Sequence, residues 1–432
     1  MGSIRRNPGS VARAIPDGAP GRRAQHDDVD DFSVLIAGGG VAALEAALTL
    51  ADVAEGRVRV ELLAPEPQFW YRPTSVAEPF GLGTVRHFDL GLLAARTGAG
   101  MTLGALAGID ADRRLARTAT GGTLSYDALL IACGAQPTAA VPGALTFRGP
   151  ADGPRLRALV EELEQGSVGR VAFAIPAGSA WPLPAYELAL MTARRLAATG
   201  TGRCEVSVVS PEPRPLQLFG RAASDAVGEL LADAGVVFVG GADPVGHEAG
   251  ELVLTKGVIP AERVVALPRL RGAPIDGVMQ TAEGFIPVDD HCAVLGADSL
   301  FAAGDITAFT VKQGGIATQQ AVAAAEAIAV LAGATLVPRP FRPVLRGLLL
   351  TGDQPTYLRH DLTETRESDW ASGSPIWWPP TKIVGRRLSP FLAEVAGETE
   401  DGAAWPPPPD GLAVEVPIEQ EPGDTLSVGL GF

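Results

Sequence analysis

Phe32 to Asp52 reads FSVLIAGGGVAALEAALTLAD. An apolar, β-branched run, Phe32 to Ala37, meets Gly38, Gly39 and Gly40 and passes at once into an alanine- and leucine-rich stretch with helical periodicity. Strand, tight turn and helix in that order open a βαβ unit. The spacing G-x-G-x-x-A falls on Gly38, Gly40 and Ala43. Gly38 suits the sharp turn, Gly40 lets a pyrophosphate approach the backbone, and Ala43 lets the helix pack on the strand, while the helix N-terminus offers amides and the positive end of its dipole.

Outward from this unit, Arg57 to Leu63 reads as the second strand. A ribose-binding acid is expected at its end, but Ala64 and Pro65 stand there and the next carboxylate is Glu66, which is either that acid or a solvated loop charge. TLSYDALLIACG, Thr123 to Gly134, reads as a later buried strand. Arg170 to Ile175, a helix from Pro184 and Glu205 to Val209 repeat the strand-helix-strand order, and SLFAAGDIT, Ser299 to Thr307, leads a third unit into the helix QQAVAAAEAIAVLAG. Beyond Pro338 the pattern breaks into short Trp- and Pro-rich segments and an acidic tail.

The chain has 432 residues, 50 acidic against 35 basic, for a formal charge of −15. Such a surface repels nucleic acid and anionic lipid, so no nucleic-acid partner is expected. With 46% hydrophobic residues there is material for a large core. Cys133, Cys204 and Cys292 form no paired spacing and the five histidines show no ligand spacing, so neither a disulfide framework nor a metal site is expected and a reducing, cytoplasmic compartment fits. Residues 1–30 read as a disordered leader without a signal-peptide core. Gly315 to Val337 is interrupted by Gln319, Gln320 and Glu326, so no transmembrane helix is expected.

IAGGGVAALEAAL, YDALLIACGAQP and SLFAAGDIT, in that order, resemble the pyridine nucleotide-disulfide oxidoreductase-type flavoproteins, in particular their sulfide:quinone oxidoreductase and type II NADH dehydrogenase branches. The resemblance implies an α/β fold with two Rossmann-like dinucleotide-binding domains: a discontinuous FAD domain, 31–150 and 282–334, an inserted second domain, 151–281, and a small irregular C-terminal segment, 335–432. It places the ADP part of FAD on Gly38, Gly40 and Ala43, the closing strand of the FAD domain at Cys133 and Gly134 with Pro137, and the flavin's ribityl chain on Gly304 and Asp305. Asp305 follows a buried strand and precedes a helix, where a carboxylate can accept from a polyol hydroxyl.

Lys312-Gln313-Gly314 is similar to the K-x-G of the sulfide:quinone branch, and Ala317 to Ala321, A-T-Q-Q-A, to the quinone-pocket stretch of type II NADH dehydrogenases. The resemblance makes Lys312, Gln319 and Gln320 the candidate catalytic residues: a Lys beside the flavin pyrimidine stabilises the reduced ring, and Gln amides hydrogen-bond a quinone carbonyl. Solvated loop and helix-start positions are the plainer alternative.

The second unit departs from the pattern. After Ile175 the chain reads Pro176-Ala177-Gly178-Ser179-Ala180-Trp181-Pro182-Leu183-Pro184 in place of G-x-G-x-x-G, which removes amide donors and adds bulk. NADH or NADPH is therefore a candidate donor that the loop disfavours. The thiols that sulfide chemistry needs are absent from this loop and from the flavin-side helix, which argues against that reaction. Trp377 to Val395 is either an aromatic wall and surface-active helix, leaving a peripheral membrane contact open, or a segment packed on the FAD domain or in a dimer contact.

The expectation is an FAD-dependent oxidoreductase that passes two electrons through its flavin to a quinone or another small acceptor, with a small-molecule donor. The alternative from another class is a non-catalytic FAD-binding partner or scaffold protein.

Overall fold

Two five-stranded parallel sheets organise the chain, which a computed structural model describes over residues 32–200, 204–363 and 369–397. The expected leader and acidic tail lie outside these residues. The strands are β1 (Phe32–Ala37), β2 (Val58–Ala64), β3 (Gly100–Leu103), β4 (Ala128–Ile131), β5 (Leu145–Thr146), β6 (Arg170–Ala174), β7 (Glu205–Val209), β8 (Val237–Val239), β9 (Arg263–Ala266) and β10 (Leu300–Ala302). The first sheet runs β10-β4-β1-β2-β3 and the second β5-β9-β6-β7-β8. In the first sheet Ala37 stands opposite Leu63 and Ile131, and Ile131 opposite Ala302. The carboxyl ends of β1, β4 and β10 are thereby brought side by side. Strand order reverses at β1, and the crevice there is where open α/β sheets take ligands.

Helix α1 (Val41–Val53) is buried on nearly every face, because it lies between this sheet and α3 (Gly314–Leu331), whose alanines Ala321, Ala323, Ala324 and Ala325 allow close approach. Helix α3 is long and apolar enough to cross a membrane by composition alone, and 67% of its apolar window is buried inside the fold. Helix α2 (Leu183–Thr199) covers the second sheet. The C-terminal segment is more regular than its composition suggests: Val344–Leu349, Thr356–Asp361 and Trp370–Ser372 form an antiparallel sheet, and α4 (Leu388–Gly397) packs on α1.

Two expected boundaries move. Thr123 to Gly134 is not one strand: Thr123–Ser125 joins an antiparallel meander with Leu106–Asp110 and Leu115–Thr118, and only Ala128–Ile131 enters the parallel sheet. The break falls at Tyr126 and Asp127, where Tyr126 N donates to Arg114 O and the Asp127 carboxylate accepts from Ser33 N at 2.8 Å. Helix α3 starts at Gly314, five residues before the expected Gln319, because the Gln313 side chain caps the amide of Ile316 at 2.9 Å.

Candidate flavin site at the carboxyl edge of the first sheet

The glycine turn after β1 has one closed and one open position. Gly38 has φ of 150°, and a Cβ there would lie 2.2 Å from the Ala132 carbonyl oxygen. Gly40 is extended at φ −94°, and a Cβ there would meet nothing within 4 Å. No side chain caps α1, so the approach to its N-terminal amides is clear. Ala43 is fully buried against the sheet side of the helix. Gly134, after β4, has φ of 71° and follows Cys133 at the same edge. Glu66 is exposed in the turn after β2.

Gly304 sits where α1 and α3 converge, with φ of 82° and a would-be Cβ 3.2 Å from Ala42 and 3.4 Å from Ala317. Beside it, burial pushes the Asp305 carboxyl up, opposed by the charges of Lys312 and Arg72. No described residue hydrogen-bonds this carboxylate. Lys312 is buried, donates to the carbonyl of Thr307, and holds its ammonium 3.9 Å above the centroid of the Phe285 ring. Burial lowers its pKa to about 8, with Asp305 pulling the other way.

Gln319 and Gln320 lie within α3 and are engaged with the backbone. Gln319 Nε2 donates to Gly315 O at 2.7 Å and Val344 O at 2.9 Å, and its Oε1 accepts from Val344 N at 2.9 Å, tying α3 to the C-terminal sheet. Gln320 Oε1 accepts from Gly304 N at 2.8 Å, and Nε2 donates to Thr307 Oγ1 at 3.1 Å. Its amide thus fixes the turn that carries Asp305.

The loop between β6 and α2 reaches this edge through its backbone, since Ala180 O accepts from Lys312 N at 3.2 Å. Within the loop, Ala177 N donates to Asp243 Oδ1 at 2.9 Å and Ala177 O accepts from Arg269 Nε at 2.8 Å. Trp181 packs edge-on against Phe219, ring centroids 5.6 Å apart.

Three features went unread in the sequence. Glu187 on α2 and Lys382 of the C-terminal segment form a buried ion pair at 2.5 Å, with Leu350 N also donating to Glu187 Oε1 at 2.9 Å and Glu187 Oε2 left without a partner. Burial pushes the carboxyl up and the ammonium down. Glu45, wholly buried on α1, accepts from Arg387 N at 2.9 Å and Leu388 N at 2.8 Å and so caps α4. Tyr71 accepts from Ile383 N at 3.0 Å, and burial raises its phenol to about 12. The signal available for Glu45 and Glu187 was an acid flanked by apolar residues in the middle of a helix.

Tyr71 also borders a mostly apolar cavity of about 290 Å³ between the hairpin Gln68–Asp89 and α4, whose other walls include Phe88, Thr381, Ile383, Ser389 and Leu392. Ile383 in turn packs against Gly314 at the start of α3. Trp377 is buried against Tyr357, ring centroids 5.0 Å apart, and donates to Thr381 O at 3.0 Å, so it is a core residue of the C-terminal segment. The three cysteines are free, and desolvation pushes every thiol upward, Cys133 and Cys204 to about 11, the reverse of a reactive thiolate. Asp289, Asp290 and His291 bring ligand atoms within 4.8 Å of one another, and Asp289 is already occupied there in capping the amides of His291 and Ala293.

A parallel sheet with a glycine turn and an open helix N-terminus at its carboxyl edge is the arrangement of a dinucleotide-binding domain. Residues 32–326 match the pyridine nucleotide-disulphide oxidoreductase family, and the chain belongs to it as an FAD-dependent oxidoreductase. Two NADH dehydrogenase-like proteins of Mycobacterium tuberculosis are 29% and 28% identical to it over 297 and 253 residues, which are 64% and 54% of this chain and 72% and 63% of theirs. The fold is similar to that of the sulfide:quinone oxidoreductase of Aquifex aeolicus, with a TM-score of 0.72 at 19% identity over 79% of this chain and 86% of that one. It is also similar to NDH2 of Plasmodium falciparum in complex with NADH, with a TM-score of 0.52 at 14% identity over 64% of each chain.

Proposed function

We propose that this enzyme takes two electrons from a small-molecule donor onto FAD and passes them to a quinone or a similar small carbonyl acceptor. The observation that carries the acceptor is the mostly apolar cavity beside Tyr71, lined by Phe88, Ile383, Leu388 and Leu392 together with hydroxyls and Arg86, a composition that suits a ring with polar oxygens. The names of the similar proteins, a sulfide:quinone oxidoreductase and NADH dehydrogenases, support the same class of electron transfer. FAD, when bound, supplies the reversible two-electron chemistry.

In this reading Gly38, Gly40 and Ala43 hold the pyrophosphate, Glu66 stands nearest the ribose, Cys133 and Gly134 border the cofactor, and Gly304 with Asp305 takes the ribityl chain. Lys312 places positive charge beside the ring's pyrimidine end. Gln319 and Gln320 position that edge by holding the turn and the C-terminal sheet. Glu187 and Lys382, a desolvated acid and base in contact, hold a proton that either can carry, Nζ as ammonium or a carboxyl oxygen as acid. The division into an FAD domain of 31–150 and 282–334, a second domain of 151–281 and a C-terminal segment of 335–432 belongs to the same proposal.

The test is the oxidative half-reaction. The bound flavin is reduced anaerobically with dithionite and mixed with a short-chain ubiquinone or with ferricyanide. Quinone should reoxidise the flavin with saturation, and Leu392→Trp, which fills the cavity, should slow quinone while leaving ferricyanide unchanged. A quinone rate that neither saturates nor responds to Leu392→Trp refutes the reading.

A further inference from the structure

We infer that Asp243 closes the second dinucleotide-binding domain to nicotinamide dinucleotides, its carboxylate standing at the carboxyl end of β6 where a pyrophosphate would bind. This deepens the function proposed above by narrowing its donor, and its readout uses the same flavin.

A pyrophosphate needs free backbone amides at the strand-to-helix turn. The turn after β6 has lost several. Pro176, Pro182 and Pro184 have no N–H, Ser179 N is spent on Pro176 O at 3.0 Å, and Ala185 N on Pro182 O at 3.1 Å. The first amide after the strand, Ala177 N, already donates to Asp243 Oδ1. On the other side of the same residue Arg269 Nε holds the carbonyl of Ala177, so the loop is pinned from both directions. A dinucleotide would have to displace a fixed carboxylate with its own negative phosphates, and like charges at that range oppose it.

The contrast lies within the molecule. At Gly40 nothing stands within 4 Å of a would-be Cβ, whereas in the corresponding turn of the second unit Asp243 holds Ala177 N and Trp181 packs on Phe219. The second domain keeps a use without a ligand of its own: Ala180 O holds Lys312 N, and α2 carries Glu187 to Lys382.

The experiment compares hydride donors on the FAD-loaded full chain under anaerobic conditions. NADH and NADPH are set against N-benzyl-1,4-dihydronicotinamide, which has the same reacting ring and no pyrophosphate. Each gives up a hydride, two electrons with one proton, and leaves as the pyridinium, so only the dinucleotide part differs. The expected result is that neither dinucleotide saturates up to about 1 mM, the upper end of ordinary KM values, nor exceeds the truncated donor in rate. Asp243→Asn keeps an acceptor for Ala177 N but removes the charge. It should raise the rate ratio of NADH to the truncated donor about tenfold, the equivalent of ~1.4 kcal/mol, with the truncated donor's own rate and the flavin content unchanged. Micromolar saturation of the natural protein by either dinucleotide, or a ratio that Asp243→Asn does not move, overturns the inference. Failure of quinone to reoxidise the flavin would refute the proposed function alone, because the donor ratio is read in the reductive half-reaction.

Discussion

Gly40→Val should abolish flavin binding and leave the fold intact. The backbone at Gly40 is extended, at φ −94° and ψ −164°, which a β-branched residue adopts without strain, and the new side chain enters open space. The apoprotein should lose no more than about 1 kcal/mol, the scale of an N-cap change. The open space is the path by which a pyrophosphate reaches the N-terminus of α1. Denying it two charge-assisted hydrogen bonds from those amides, at about 1.5–3 kcal/mol each, costs about 3–6 kcal/mol, or a dissociation constant weaker by roughly 10²- to 10⁴-fold. Gly38→Ala is the control with the opposite signature. Its Cβ would lie 2.2 Å from the Ala132 carbonyl oxygen at φ of 150°, so it should damage the fold before any cofactor is considered. The assay pairs flavin absorbance per protein after gel filtration with the thermal midpoint of the apoprotein. Full flavin occupancy in Gly40→Val, or an apoprotein as unstable as that of Gly38→Ala, would refute the reasoning.

Lys312→Met should lower the two-electron midpoint potential by about 30–65 mV, which corresponds to one charged contact of about 1.5–3 kcal/mol, and the difference from the natural enzyme should shrink as pH rises through about 8, where Lys312 loses its proton. The stability sign follows: the unfolded chain keeps that proton up to about 10.4, folding releases it, and the natural apoprotein should gain stability with rising pH across that window while Lys312→Met does not. Lys382→Met leaves Glu187 buried without its cation and should cost about 3–5 kcal/mol. A carboxyl raised in the fold binds protons more readily folded than unfolded, so this variant should be more stable near pH 5 than near pH 8, the loss beginning above the usual carboxyl value of about 4.3. Thermal unfolding across that range checks it, and a flat profile would argue that the pair is not the buried acid and base described here.

The parts of this molecule legible in its sequence are those that local chain geometry dictates. Gly38 to Ala43 could be read because a strand, a forced turn and a helix are contiguous, and the strand before Asp305 because its apolar run is short and bounded. The start of α3 was misplaced since its cap, Gln313, and two glycines resemble loop until the Gln313 side chain is seen on Ile316 N. Thr123 to Gly134 looked continuous because nothing in the string shows that Asp127 is bonded to Ser33, 94 residues away. The contacts that decide the site's chemistry are longer-range still. Glu187 meets Lys382 across 195 residues, and Asp243 meets Ala177 across 66. Each acid alone is uninformative, since its role depends on the partner that folding supplies.

The Glu45 cap also constrains how this chain can diverge. A residue in the first helix of the flavin unit serves as the N-terminal anchor of the last described helix, and at Gly385 a Cβ would come within 2.6 Å of Glu45 Oε2. Positions 45, 385 and 387 are therefore tied together, and a side chain at 385 would have to clear Thr318 and Leu388 as well as Glu45. Insertions and deletions should avoid residues 385–388, where the contacts with Glu45 fall. A homologue that has lost the acid at 45 should also have lost, or re-anchored, its terminal helix, and with it the wall of the cavity that this helix supplies.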